Sequence, residues 1–174
     1  TVHHLAQLND EQILNKGFRF ELPASPHYAA ANEGSVISML PLYELVESEE
    51  SSETTWVVEG VGGLMVPIND TQSLPTFIQA LGLPCLVVSS TKLGTINHTL
   101  LTLAQLKTLN IPTIGVLMVG KEDPSAITGI NNHSDVPILG HIPTLDAVTR
   151  ESIANSIPII QGIKPIMQVL KGPS

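Results

Sequence analysis

Cysteine, aromatic residues and positive charge are all scarce in this 174-residue chain. The single cysteine, Cys85, excludes an internal disulfide. It lies in the apolar run Leu83-Pro84-Cys85-Leu86-Val87-Val88, where a buried, inert thiol of a cytosolic protein is expected. Aromatics make up 3% of residues against 43% hydrophobic in total, so the core must be built from Leu, Ile, Val and Ala. Eight Lys and Arg stand against sixteen Asp and Glu, a formal charge of -8 that repels a polyphosphate backbone and argues against nucleic-acid binding. No stretch approaches the roughly 20 apolar residues of a membrane span, and no charged segment leads into an apolar signal region. A cytoplasmic protein without membrane contact is the expectation. No Cys/His set has zinc spacing, and there is no G-x-S-x-G hydrolase elbow.

What is present alternates. Thr54-Thr55-Trp56-Val57-Val58 reads as a β-branched and aromatic strand; Pro84 to Val88, Pro112 to Val119 and Val136 to Ile142 read as short apolar strands. Between and around them lie helical segments at Ile37 to Glu47, Leu74 to Leu81, Asn97 to Leu109, Pro124 to Asn131, Ala147 to Ser156 and Ile159 to Leu170, with a short turn at Ala29 to Glu33. Short aliphatic strands separated by helices give an α/β fold with a mostly parallel sheet flanked by helices, and the length fits a single domain over residues 1–174. The acidic run Glu47, Glu49, Glu50, Glu53 reads as a solvated loop. In such a sheet, ligands bind beyond the carboxyl ends of the strands, which directs attention to the segments after each strand.

Three of those segments carry chemistry. In Val58-Glu59-Gly60-Val61-Gly62-Gly63, an acidic residue at a strand tip is followed by three glycines in four positions. Glycines expose consecutive N–H groups that form an anion site, and a carboxylate beside them can hold Mg2+ when phosphate supplies other ligands. A Glu-capped strand followed by a plain Gly-rich turn explains the same letters. The second segment, Ser89 to His98, joins a strand to a helix with Thr95 or Asn97 as N-cap; its free amides, helped by Lys92, could hold an anion, or it could be an ordinary connection. In Pro23-Ala24-Ser25-Pro26-His27 two prolines stiffen a loop that presents Ser25 and His27, the latter a base, a ligand or a surface residue.

Taken in order, these blocks resemble the dethiobiotin synthetase family. The matching segments are Pro23-Ala24-Ser25-Pro26-His27 with Glu33-Gly34, Val58 to Gly63 with Val66-Pro67 and Asp70, Lys92-Leu93-Gly94-Thr95-Ile96-Asn97-His98-Thr99-Leu100-Leu101-Thr102, and Leu139-Gly140-His141-Ile142-Pro143. The resemblance implies a P-loop NTPase-like fold, a homodimer, and carboxylation and ring closure of 7,8-diaminononanoate with CO2, driven by ATP and Mg2+. It implies that Glu59, Gly60, Val61 and Gly62 line the nucleotide, with Glu59 a Mg2+ ligand. By the same match, Gly94, Thr95, Ile96 and Asn97 receive the substrate's carboxylate tail across the dimer interface, and Ile142, Pro143 and Thr144 lie near the nucleobase.

Departures accompany the match. The family's phosphate loop G-x-x-x-x-G-K-[ST], its catalytic lysine and a Mg2+-binding aspartate are not found, and the chain opens Thr1-Val2-His3-His4. The resemblance therefore implies that an N-terminal strand–loop–helix unit lies outside this chain, which would be the C-terminal three-quarters of the domain, inactive alone and with no catalytic residue of its own. The alternative is a P-loop-less paralogue that binds or scaffolds without catalysis. After the strand ending at Val119, many relatives place Asn-Asp to read adenine; here Gly120-Lys121 follow, which leaves the base preference open.

Overall fold

The structure, a computed structural model, describes residues 17–48, 56–60 and 62–156, together with Leu5, Asn9, Lys164, Ile166 and Met167. Its elements run α1 (Pro26–Asn32), α2 (Leu40–Ser48), α3 (Leu74–Leu81), β1 (Cys85–Ser90), α4 (Thr95–Thr108), β2 (Thr113–Val119), α5 (Pro124–Asn131), β3 (Ile138–Ile142) and α6 (Arg150–Ser156). The chain groups into two compact units, one of Thr1–Leu14 and Pro84–Ser174, the other Asn15–Leu83.

The larger unit holds the sheet. β1 pairs with β2 and β2 with β3, both parallel, so β2 is central. A strand buried on both faces needs apolar residues without alternation, and Ile114-Gly115-Val116-Leu117-Met118-Val119 supplies them. Successive side chains still point to opposite faces. Val116 and Met118 pack with Leu103 of α4 and Ala126 and Ile130 of α5; Leu117 packs with Leu139 of β3. Both crossover helices thus contribute to one core. α4 buries Thr95, Thr99, Leu103 and Leu106, a single stripe at helical spacing. Asp123 caps α5, accepting from the N–H groups of Ser125 at 3.0 Å and Ala126 at 3.1 Å, with Pro124 at the first turn.

The smaller unit gathers Ala30, Ile37, Met39 and Ile68, with Phe20, Leu42, Tyr43, Leu74 and Phe77 against them. Asn69 organises its turn: its Nδ2 donates to the carbonyl of Ile37 at 3.0 Å while its Oδ1 accepts from the N–H groups of Thr71 and Gln72. α3 closes on Gly82 in the left-handed region, φ 64°.

The expected strand at Thr54 to Val58 is not found in its described part. Trp56, Val57 and Val58 have no regular structure, and Val57 is 83% exposed. β-propensity describes a fit to a pleated, half-buried surface, and among the described residues no neighbouring strand offers one. Gly17-Phe18-Arg19-Phe20-Glu21-Leu22 alternates apolar and polar residues and likewise forms no strand. Thr54, Thr55, most of the expected helix at Ile159 to Leu170, and Glu49, Glu50 and Glu53 of the acidic run lie outside the described residues. Glu47 belongs to α2 and is exposed, so the acidic run begins on a helix.

Candidate functional site

The carboxyl ends of the three strands finish level, because Ser90 pairs with Val119 and Val119 with Ile142. Backbone bonds continue the alignment past the strands. The Thr91 N–H donates to Val119 O at 3.2 Å, and the Gly120 N–H donates to Ile142 O at 3.0 Å. His141 adds a side-chain tie, with Nε2 2.7 Å from Gly120 O. A carbonyl only accepts, so Nε2 carries the hydrogen of that bond. Gly120 has φ +134°, and a Cβ there would strike the Thr91 hydroxyl, so the backbone itself forms this part of the edge. Two of the sequence-predicted segments, Gly94 to Asn97 and Ile142 to Thr144, lead away from this one edge.

The start of α4 is open. Its N-cap is Gly94, φ 94°, which has no side chain to offer, so the N-cap is neither Thr95 nor Asn97 as the sequence implied. The Thr95 N–H is satisfied by Lys92 O and the His98 N–H by Gly94 O. The N–H groups of Ile96 and Asn97 have no acceptor among the described residues. A helix start with unpaired donors attracts negative charge, and Lys92, exposed two residues before Gly94, adds to the field. Beside Asn97, a groove of about 640 Å³ runs between α4 and the segment before β3, lined by Leu100, Leu101, Ala104, Lys107, His133 and Val136 among others. Leu101 of its lining is exposed, as is Leu93 just before the N-cap Gly94.

Glu59 to Gly62 fall in the smaller unit. Glu59 follows an irregular, exposed segment rather than a buried strand, since Val57 and Val58 face solvent. Its carboxylate has no hydrogen bond or ion pair among the described residues, which leaves its oxygens available. Gly62 has φ +72°, a conformation that favours glycine, and Val61 lies outside the described residues. One free carboxylate suits a Mg2+ whose other ligands are phosphate oxygens and water. Among the described residues no three His, Cys, Asp or Glu side chains gather to hold a metal by themselves. Ser25 is the N-cap of α1, its carbonyl accepting from Tyr28 and Ala29 N–H; His27 sits in the first turn, its Nδ1 buried without a partner among the described residues.

The sequence also holds a near-match to the phosphate loop. Gly115 to Lys121 has the spacing G-x-x-x-x-G-K, but Glu122 follows in place of Ser or Thr. Residues 115–119 lie in β2 with their N–H groups turned to sheet partners, so the run cannot wrap a phosphate. The hydroxyl cluster of Ser89, Thr95 and Thr99 has no motif in the sequence; three hydroxyl residues around one strand–helix junction are its only signal.

A family described as an AAA domain matches residues 1–152. An ATP-dependent dethiobiotin synthetase BioD from Paramagnetospirillum magneticum is 40% identical over 136 residues, 78% of this chain and 64% of that protein. The protein of the same name from Lawsonia intracellularis is 35% identical over 165 residues, 95% of this chain and 78% of that protein. A third, from Brucella ovis, is 33% identical over 155 residues, covering 89% and 71%.

Proposed function

The chain belongs to the ATP-dependent dethiobiotin synthetase family, and from that premise we propose that it serves the ring-closing step of biotin biosynthesis. In this reading one amine of 7,8-diaminononanoate adds CO2 to give a carbamate, ATP phosphorylates the carbamate, and the second amine attacks the carbonyl carbon as phosphate leaves. The reaction needs the anionic tail of the diamine held while the two nitrogens are kept close to one carbon. The observation that carries the reading is the open start of α4: the Ile96 and Asn97 N–H groups, unpaired among the described residues and set in the Leu93-Gly94-Thr95-Ile96-Asn97-His98 block, suit a carboxylate.

Glu59 is the proposed Mg2+ ligand, with Gly60, Val61 and Gly62 beside the nucleotide. Mg2+ bound there would offset charge on the transferred phosphoryl group. Ile142, the last residue of β3, and Pro143 and Thr144 just beyond it are proposed near the base. The chain has no G-x-x-x-x-G-K-[ST] loop, so the reading places the ATP phosphates on polypeptide outside these 174 residues. The matched span, residues 1–152, runs through both units, which supports reading residues 1–174 as part of a single domain. Exposed Leu93 before the start of α4 and exposed Leu101 in the α4 groove support a homodimer, which sedimentation of the full-length protein would register as twice the chain mass. Among the described residues no helix is long and apolar enough to cross a membrane, and the cytoplasm is the proposed compartment.

The test is direct. Full-length protein given diaminononanoate, bicarbonate, ATP and Mg2+ should form dethiobiotin, read by mass spectrometry, and should stall when any one is withheld. A folded full-length protein that yields none, in a mixture where an active synthetase does, refutes the reading in favour of a binding or scaffolding role.

A further inference from the structure

Ser89, near the end of β1, points inward and is 7% exposed; Thr95 and Thr99 of α4 are buried with it at 6% and 3%. Ser89 Oγ lies 2.8 Å from Thr95 Oγ1 and 2.5 Å from Thr99 Oγ1, and Thr95 Oγ1 donates to Ser90 O at 2.5 Å. Each hydroxyl owns one hydrogen. The Ser90 carbonyl cannot donate, so the Thr95 hydrogen is spent there. Ser89 must then supply the hydrogen between itself and Thr95. Its other acceptor, Ser90 O, is 3.4 Å away and loses to the shorter bond. Thr99 in turn supplies the hydrogen to Ser89. The chain therefore has one direction: Thr99 to Ser89 to Thr95 to the Ser90 carbonyl. Aligned in this way, the bonds polarise and strengthen one another. Two other threonines of α4 behave differently: Thr102 and Thr108 donate to the helix carbonyls of His98 and Ala104.

Where the hydrogens go decides what holds the start of α4. Thr95 is the first residue of the helix, and Gly94 before it supplies no capping side chain. The first turn is fixed instead by Thr95, tied through its N–H to Lys92 O and through its hydroxyl to the end of β1. We propose that Ser89, Thr95 and Thr99 are positioning residues: their directed hydroxyl chain sets the distance of the Ile96 and Asn97 N–H groups from the sheet edge, and so sets how tightly the anionic tail of the diamine is held. None of the three hydroxyls needs to touch the substrate. The proposal rests on the reading of Gly94 to Asn97 as the substrate segment and adds what makes that segment rigid.

The experiment uses the full-length protein with Ser89→Ala, Thr95→Val and Thr95→Ser. Steady-state kinetics separate KM for diaminononanoate from KM for ATP, and amide hydrogen exchange follows Thr95 and His98 against Leu103 and Leu106. Ser89→Ala and Thr95→Val should raise the diamine KM by about tenfold or more, as a sub-ångström displacement of positioned donors does, and leave the ATP KM unchanged. Exchange should quicken at Thr95 and His98 and not at Leu103 and Leu106. Thr95→Ser, which keeps the hydroxyl, should restore both. An unchanged diamine KM in Ser89→Ala and Thr95→Val overturns the proposal, as does a parallel rise in both KM values that Thr95→Ser fails to reverse, since that marks a general loss of fold. If the unsubstituted protein forms no dethiobiotin, the functional reading fails by itself; the exchange comparison then decides, and unaltered exchange at Thr95 and His98 removes the positioning role.

Discussion

Gly115 is where the sheet has no room to spare. It sits in central β2, and a Cβ built there would come within 2.5 Å of Leu139 Cγ and 2.8 Å of each Leu139 Cδ. Cγ is a branch point, so Leu139 cannot swing a tip aside; it must move bodily, or β3 must separate from β2. Leu139 is 4% exposed on the neighbouring strand, with little space to move into. Gly115→Ala should therefore cost about 1–3 kcal/mol by overpacking. Leu139→Ala alone opens a cavity and should cost about 2–5 kcal/mol. If the two sites were independent, the double substitution would cost about 3–8 kcal/mol. They are in contact, and the second substitution removes the atoms the first collides with, while the new methyl fills part of the cavity. The double variant should thus be no less stable than Leu139→Ala, an interaction of about 1–3 kcal/mol in its favour. Urea unfolding of the four proteins, with a common m value, measures the cycle. Additivity within about 0.5 kcal/mol would refute the packing argument. β3 ends at Ile142 and leads directly to Pro143 and Thr144, so the same steric fit places the segment proposed near the base.

Glu59→Gln in the full-length protein should raise the Mg2+ concentration needed for half-maximal rate by at least about tenfold, because an amide oxygen ligates a hard cation less well than a carboxylate; an unchanged Mg2+ titration rules the role out. The Asp123 carboxyl is held below its ordinary range, first by the Ser125 hydroxyl at 2.6 Å and then by the Ala126 amide. A depressed folded value means that its contribution is present above the unfolded value, about 3.9, and is lost as pH falls through the lower folded one. The gap in melting temperature between the native protein and Asp123→Ala should accordingly close on acidification, and a gap independent of pH would contradict the charged cap. Burial pushes the Cys85 thiol up, so less thiolate forms near neutrality. Iodoacetamide should modify the folded protein at least about tenfold more slowly than the urea-unfolded one, and equal rates would show the thiol unprotected.

Local rules wrote much of both units legibly. α3 and α5 fall on the stretches expected for them, each opening with a proline in its first turn, and the three paired strands are apolar runs that helices alone could not accommodate between turns. Trp56 to Val58 show the limit of the same rules: the residues favour a strand, but a strand is a relation between two segments, and propensity names only one. The start of α4 departs from its expected cap for a related reason. Thr95 has the side chain of an N-cap, and capping preference is a local competition for nearby N–H groups. The sequence does not display the rival acceptor, the Ser90 carbonyl, which becomes available only when β1 and α4 pack together. Once that bond is taken, Gly94 is left as the cap and two amides are left unpaired at the sheet edge among the described residues. The feature that best supports an anion site is therefore a consequence of tertiary structure, whereas the letters Gly94 to Asn97 could mark only its place. Removing the Thr95 hydroxyl should release the helix start to find a local cap, which is why Thr95→Val, which keeps the branched shape without the hydroxyl, and Thr95→Ser, which keeps the hydroxyl without the methyl, are the pair of substitutions that separates sequence preference from structural assignment.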